Sequence, residues 1–214
     1  MTPKLWIQVV GIFISLAFLS FSVQTVAAAT VTKLQLKGDT ITAQFDALDP
    51  EENCLENFVF VVASDMIQKE SQTERTRTVS LMLSIVQKDI CTEVVLFSGE
   101  GAIAAPDLEI AANLKSATLT AKVPVFDTIS QQSVTFDAHL VWNATAKPKV
   151  VNSTDIFRDR GLGIFIKSVT HSKQAQAIAT GTVFGNGQHF TPEASDMATI
   201  ENNKDSSLTI EKTP

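Results

Sequence analysis

Asp137 and His139 come closest, in type and spacing, to residues that could carry out catalysis. They stand two positions apart in an alternating segment that predicts a β-strand, so both side chains project from one polar face. A carboxylate beside an imidazole can orient it for proton transfer or metal binding. On a solvated strand such a pair is ordinarily structural. The other histidines, His171 and His189, share no metal-binding spacing with His139.

Sequence motifs for catalysis are also missing. The chain has neither a GxSxG nor an HExxH motif. We therefore assign no catalytic residues, and the sequence favours a protein that is not an enzyme. The alternative is an extracytoplasmic hydrolase whose site assembles only in three dimensions, as catalytic triads do.

A group of acidic residues around Pro50 is the candidate metal site. Ca²⁺ prefers clustered carboxylate and carbonyl oxygens. The group lacks the DxDxDG order of a dedicated loop, and acids beside a proline are ordinary turn chemistry. We therefore predict no metal site and no cofactor, Ca²⁺ being the one ion that this turn would suit. The group consists of Asp46, Asp49, Glu51, Glu52 and Glu56.

A second charged cluster lies in the polar segment 143–160, which we interpret as a loop. The cluster consists of Asp155, Arg158, Asp159 and Arg160. Its guanidinium groups could bind an anionic ligand, but the neighbouring acids favour mutual pairing. Two sequons, at Asn143 and Asn152, would matter only in a glycosylating host.

Residues 1–29 have the organisation of a secretory signal peptide. A single lysine is followed by the apolar segment Leu5–Phe21 and by small residues that suit cleavage after Ala29. The alternative is a retained anchor, because about 20 apolar residues span a bilayer. Polar interruptions favour cleavage. We expect a secreted protein, extracellular or in the periplasm or cell envelope, with no transmembrane span in residues 30–214.

Cys54 and Cys91 are the only cysteines. In an oxidising compartment an even pair is most simply one disulfide. Neither cysteine has a CxxC partner or a histidine within ten residues. The sequence therefore predicts a structural disulfide rather than a reactive thiol.

Charge and aromatic content restrict the classes of partner that we expect for this protein. The chain has a formal charge of −6, and removal of Lys4 leaves 16 cations against 23 acids, or −7. Because no basic run is present, we predict no nucleic-acid partner and no docking on anionic lipid. The chain has no Tyr, and Trp142 is its only Trp outside the signal peptide. Sugar-binding surfaces commonly use exposed Tyr and Trp, so this scarcity argues against a carbohydrate platform.

Apolar and polar residues alternate along most of the chain after residue 30, which predicts an all-β fold. Short strands separated by turns favour a β-sandwich, with jelly-roll or immunoglobulin-like topology. Two turns are predicted to link paired strands, Lys37-Gly38-Asp39 and His171-Ser172-Lys173, and another turn is predicted at Gly185-Asn186-Gly187. Residues 65–75 are predicted to form a long loop.

We predict a single domain over residues 30–214. A weak internal repeat aligns Leu36–Phe45 with Leu114–Val123. The repeat supports an alternative division into two β halves, 30–105 and 106–214. Alternating Thr and aliphatic residues resemble one another in any β protein, and we favour that explanation of the repeat.

The segments LKSATLTAKVPVFD and VTFDAHLVWNATAK, with the later SLTI, resemble a pattern in uncharacterised exported bacterial proteins. The resemblance implies export and β structure and carries no activity. Together these features favour a secreted or envelope-associated, non-enzymatic binding or interaction module for an unknown extracellular ligand or surface. A structural surface protein is a further alternative.

Overall fold

The computed structural model describes residues 29–48, 54–70, 74–191 and 193–212. The predicted signal peptide lies almost wholly outside them. The described residues form eleven strands and no helix, which confirms the all-β class. The strands are β1 (Ala29–Leu48), β2 (Leu55–Lys69), β3 (Arg75–Asp89), β4 (Val94–Ala104), β5 (Asp107–Ile110), β6 (Ser116–Asp127), β7 (Gln132–Ala144), β8 (Lys149–Asp159), β9 (Ile164–Gly185), β10 (Gln188–His189) and β11 (Met197–Lys212).

All eleven strands belong to one antiparallel sheet. The strand β7 pairs with both β6 and β9, so the hydrogen-bonded path returns to its start through β9, β11, β1, β2, β3, β4, β6 and β7. The pairing does not resolve the two stacked sheets of the predicted sandwich. The hydrogen-bonded path closes on itself and encloses one core.

Alternating residues of the enclosing strands fill this core. Ile41, Phe45, Leu83 and Phe136 are fully buried, while their neighbours along each strand face outward. Trp142 is also fully buried, and its indole Nε1–H donates to the Thr42 carbonyl oxygen at 2.7 Å. This bond satisfies the polar group of a buried Trp and ties β7 to β1, which are not neighbours in the sheet.

Several strands continue beyond the core. We call this part the open extension; it consists of residues 29–39, 65–69, 75–79, 149–159, 164–174 and 202–212, in the order β8-β9-β11-β1-β2-β3. Ten of the eleven residues of β8 are exposed, on both of its faces. Within the described part of the chain, no further layer therefore covers this edge of the sheet.

The predicted hairpin at Lys37-Gly38-Asp39 is wrong, because β1 runs through it without a break. Residues in phase with Ile41 are buried in the core, whereas Leu34 and Leu36, in the opposite phase, are half-buried in the open extension. The apolar phase changes because the strand leaves the core, not because the chain turns. A Cβ at Gly38 would collide with the carbonyl oxygen of Asp65, so only glycine fits here.

Three further predictions failed for the same reason. The strand β2 extends to Lys69 into the predicted loop 65–75, β8 occupies most of the predicted loop 143–160, and β9 runs straight through residues 171–173. Polar side chains are tolerated on both faces because the strands there are paired but not enclosed. The turn at Gly185-Asn186-Gly187 is confirmed, with positive φ at Asn186 (51°) and Gly187 (80°), typical of a tight hairpin.

Buried side chains from both proposed halves of the chain form a single hydrophobic cluster. The aligned repeat segments lie in β1 and β6, where Ile41 and Leu119 both face the core. Alternation in any β protein would give the same result. The single domain over residues 30–214 stays a prediction.

The two cysteines flank the β2–β3 pair. Cys54 and Cys91 stand at disulfide distance, with Cα atoms 5.4 Å apart and a sequence separation of 37. The Ile90 N–H donates to the Cys54 carbonyl oxygen at 2.8 Å, so the bridge lies at the end of a continuous ladder.

Replacing both cysteines, in Cys54→Ala/Cys91→Ala, should lower the free energy of unfolding by about 4 kcal/mol, because the unfolded chain loses its loop constraint. Denaturant unfolding of the oxidised wild type and the variant measures this difference. Reduction should destabilise the wild type by a similar amount and leave the variant unchanged. A wild type insensitive to reduction would contradict the cross-link.

Asp127 joins β4 to the hairpin between β6 and β7. Its buried carboxylate accepts backbone N–H bonds from Ser98, Ile129 and Ser130, and one from the Ser130 hydroxyl. Burial opposes ionisation and is the largest single influence, but the hydrogen bonds together lower the pKa of Asp127.

Asp127→Asn should lower the free energy of unfolding at neutral pH by about 1–3 kcal/mol, because an amide NH₂ would face backbone donors. A lowered pKa stabilises the fold above the ordinary value near 4, and this contribution is lost as the pH falls through the folded pKa. The gap in Tm between wild type and variant should therefore be widest near neutrality and narrow in acid. Asp107→Asn removes the same charge from an exposed position of β5 and is the control. A gap that is constant with pH would contradict this role of Asp127.

Candidate functional site

Asp137 and His139 lie on β7, and each contacts a residue of a neighbouring strand. The Asp137 carboxylate pairs with Lys122 Nζ at 3.1 Å, and His139 Nδ1 lies 3.4 Å from the Thr120 hydroxyl. Both partners belong to the neighbouring strand β6. The pair thus forms ordinary cross-strand contacts on the outer surface.

The other two histidines have separate local partners. His171, on β9, has its Nδ1 2.7 Å from the Asn152 side-chain oxygen of β8. His189, on β10, packs against the Phe184 ring, with centroids 5.0 Å apart. The three histidines therefore stand on different strands, each in a different environment.

The acidic turn is only partly described. Asp49, Glu51 and Glu52 lie outside the described residues, so the expectation that this turn is not a metal site stays a prediction. The Asp46 N–H donates to the Asp196 carboxylate at 2.6 Å. Among the described residues one group has metal-ligand spacing, Cys54, Asp89 and Cys91. The two sulfurs of this group lie at disulfide distance from each other. The Asp89 carboxylate accepts hydrogen bonds from the backbone N–H groups of Cys91 and Thr92. These bonds, chiefly the one from Thr92, lower the pKa of Asp89.

The cluster at residues 155–160 does not pair with itself. Arg158 instead lies over the Phe165 ring, with its guanidinium carbon 5.1 Å from the centroid. The Asp159 carboxylate accepts the Leu162 N–H at 2.9 Å. Among the described residues no ion pair joins the four charged side chains; the strand β8 projects Arg158 to the face opposite Asp155 and Asp159, and Arg160 lies beyond the end of the strand.

The register of the open extension brings distant cations together. Residues in phase with the core residues Ile41, Ala63, Leu81, Ala175 and Ile200 must all project from one face of the extension. We call it the basic face, since every strand of the extension contributes a cation to it. Its cations are Lys33, Lys37, Lys69, Arg75, Arg77, Arg158, Lys167, Lys173 and Lys204.

The opposite face of the open extension is acidic. Its described charged side chains are Asp155, Asp159, Asp205 and Glu211, with Lys149 as the cation. An acidic chain therefore separates its charges across a single layer of strands. Clustered charge of one sign raises the local concentration of oppositely charged ligands.

The two acids of the basic face are already satisfied by protein donors. The Asp65 carboxylate accepts two hydrogen bonds from the Arg77 guanidinium, at 2.7 and 2.6 Å, and this pairing lowers the pKa of Asp65 and raises that of Arg77. The Asp39 carboxylate accepts from the Asn202 amide at 2.7 Å. Neither acid pairs with any of the lysines.

Several cations of the basic face stand directly opposite one another. Lys37 faces Lys204, and Lys69 faces Arg75, in the cross-strand register. Like charges in such positions destabilise a sheet. Within the described part of the chain, Lys33, Lys37, Lys167, Lys173 and Lys204 have no carboxylate at ion-pair distance. The face therefore carries uncompensated positive charge.

A shallow cavity of about 210 Å³ lies within the basic face. Lys33 and Lys167 stand on either side of Leu208, one strand apart from it in each direction. Gln35 and Ser206 add hydrogen-bonding groups to the same cavity. The cavity thus combines two cations, polar groups and an apolar floor.

No stretch of sequence marks the basic face, because its cations are scattered from position 33 to position 204. One local signal could have indicated part of it: Lys33 and Lys167 each stand between an apolar and a hydroxyl residue, as strand residues do. Strand order was needed to show that they share a face. The prediction of no nucleic-acid partner and no docking on anionic lipid rested on the missing basic run, and it stays a prediction; the fold shows that cations can gather on one face without such a run.

No family model, curated protein or solved structure matches this chain. Within the described residues, no helix is long and apolar enough to cross a membrane.

Neutralising one member of the opposed lysines, in Lys37→Gln, should stabilise the fold by about 0.2–1 kcal/mol, because a direct cross-strand repulsion is removed. Added salt should shrink the gain, since it screens exposed charges. Thermal unfolding at low and high ionic strength measures both effects. Lys33→Gln is the matched control, because Lys33 faces Leu208 rather than a cation. Equal shifts in the two variants would contradict the repulsion.

Proposed function

We propose that this protein is an exported, non-enzymatic binding module that holds an acidic polysaccharide on the basic face of its open extension. The observation that carries the proposal is the gathering of unpaired lysines from β1, β9 and β11 on one side of an otherwise acidic protein. Export is supported by the organisation of residues 1–29, and an extracytoplasmic site would meet polysaccharides directly.

The spacing of the cations suits an extended anionic polymer. Neighbouring strands lie about 4.8 Å apart, and successive residues on one face lie about 6.7 Å apart along a strand. Lys33 and Lys167, separated by one strand, are thus roughly 10 Å apart at their Cα atoms. A flexible chain bearing regularly repeated carboxylate or sulfate groups can contact several such cations at once.

Polar side chains between the cations favour a sugar polymer. Gln35, Ser206, Asn152 and Thr154 offer donors and acceptors for hydroxyl groups, and Leu208 offers an apolar floor for a ring. This recognition differs from stacking on aromatic rings, which the buried Trp142 cannot provide. The scarcity of Tyr and Trp therefore does not argue against this mode of sugar binding.

Two other polyanions fit the basic face less well. Single-stranded nucleic acid is usually held by bases stacked on aromatic side chains, and Phe165 of this face is covered by Arg158. An anionic membrane would need apolar side chains inserted beside the cations. The exposed aromatic ring of β8, Phe157, projects from the opposite, acidic face, and the exposed apolar side chains that β8 places on the basic face are the smaller Val150 and Ile156.

Binding to polygalacturonate, dextran sulfate and neutral dextran tests the proposal. Both charged polymers should bind at low ionic strength, and the affinity should fall steeply as salt is added, because each contact releases bound counterions. Neutral dextran should not bind. Equal binding of neutral dextran, or binding of anionic vesicles or single-stranded DNA without the polysaccharides, would overturn the proposal.

The double variant Lys33→Gln/Lys167→Gln should weaken binding by about tenfold or more, which corresponds to about 1.4 kcal/mol. Lys115→Gln/Lys147→Gln removes the same charge from exposed positions outside the open extension and is the control. Its affinity should stay close to that of the wild type. An equal loss in both variants would indicate a response to net charge alone.

A further inference from the structure

One edge of the open extension is long and free. The strand β8 pairs with β9 on one side, and no described strand pairs with its other side. Its eleven residues span about 36 Å. The backbone N–H and C=O groups along that edge are a template for another strand.

Other edges of the sheet are short by comparison. The strand β5 has four residues and β10 has two. Proteins also blunt edges with prolines and bulges, but β8 contains no proline and its pairing with β9 shows no register shift. The edge instead exposes more than half of the side chains of Val150, Val151, Ile156 and Phe157.

The sequence of β8 is complementary to itself. If a second β8 pairs antiparallel with Thr154 opposite Thr154, Lys149 falls opposite Asp159. In the same register Val151 falls opposite Phe157. Opposite charges, aromatic with β-branched residues, and threonine pairs are the cross-strand contacts that stabilise antiparallel sheets. The ionic and apolar contacts each occur twice by symmetry.

Neighbouring registers lose these contacts. A shift of two residues in one direction places Asp155 opposite Asp155, which is repulsive. A shift in the other direction leaves Lys149 opposite Phe157 and moves Asp159 beyond the strand. After a shift of one residue, the basic face of one copy and the acidic face of the other would lie on the same side of the joined sheet.

We propose that two copies of this chain join through β8, antiparallel and centred on Thr154, to form one continuous sheet. The two-fold axis is then perpendicular to the sheet, so both basic faces lie on the same side. The proposal rests on the edge and its side chains and is independent of the ligand. Charge complementarity between Lys149 and Asp159 selects a second copy as the occupant of the edge.

Sedimentation of the purified exported chain over a range of concentrations tests the dimer. The wild type should dissociate on dilution. Thr154→Lys should raise the dimer dissociation constant by about tenfold or more, because two lysines would meet at the axis. Thr118→Lys, at an exposed position of β6 that is paired on both sides, should leave it unchanged. A wild type that stays monomeric at its highest soluble concentration would overturn the proposal.

Engineered cysteines test the register. Thr154→Cys should form an intermolecular disulfide on oxidation, since directly opposed residues lie within the Cα separation that a disulfide requires. Ser153→Cys would face Asp155 and sit too far from its own copy, so it should cross-link far less. Non-reducing electrophoresis and peptide mapping distinguish the two. Equal cross-linking of both variants, or a dimer unaffected by Thr154→Lys, would rule out this interface.

Discussion

Unbroken backbone pairing from the core into the open extension is the constraint on which the rest of this structure depends. The β1–β11 ladder continues from Gln44 and Met197, at the core, to Ala29 and Lys212, at the far end of the extension. Side chains alternate strictly along a strand, so the side that is buried in the core determines which side chains share a face outside it. The basic face is a direct consequence of this continuity.

The same continuity explains how the extension stays ordered without enclosing a core of its own. Each inner strand is hydrogen-bonded on both sides, and half-buried side chains such as Leu34 and Leu36 lie on the face opposite the lysines. This continuity has an energetic cost, because it places Lys37 directly opposite Lys204. The proposed binding function would account for such repulsion next to unpaired lysines, since functional surfaces are where a fold departs from the arrangement that stability alone favours.

Much of the core was predictable from the sequence, because burial there follows the alternation of nearby residues. The inward face of β7, from Phe136 to Trp142, and the turn at Asn186 are examples. The continuous courses of β1 and β9 were missed. In both strands the apolar phase changes where the strand leaves the core, and a phase change in sequence resembles a turn. The polar strand β8 was missed because neither of its faces is enclosed.

By itself, the sequence determined the β class and the one cysteine pair available for a cross-link. These depend on residue types and on alternation between near neighbours, which are local properties of the chain. Only the tertiary structure decided that the scattered lysines share a face and that β8 has a free edge. Both depend on which strands become neighbours, and strand pairing joins residues as distant as Lys33 and Leu208, whose proximity no local pattern records.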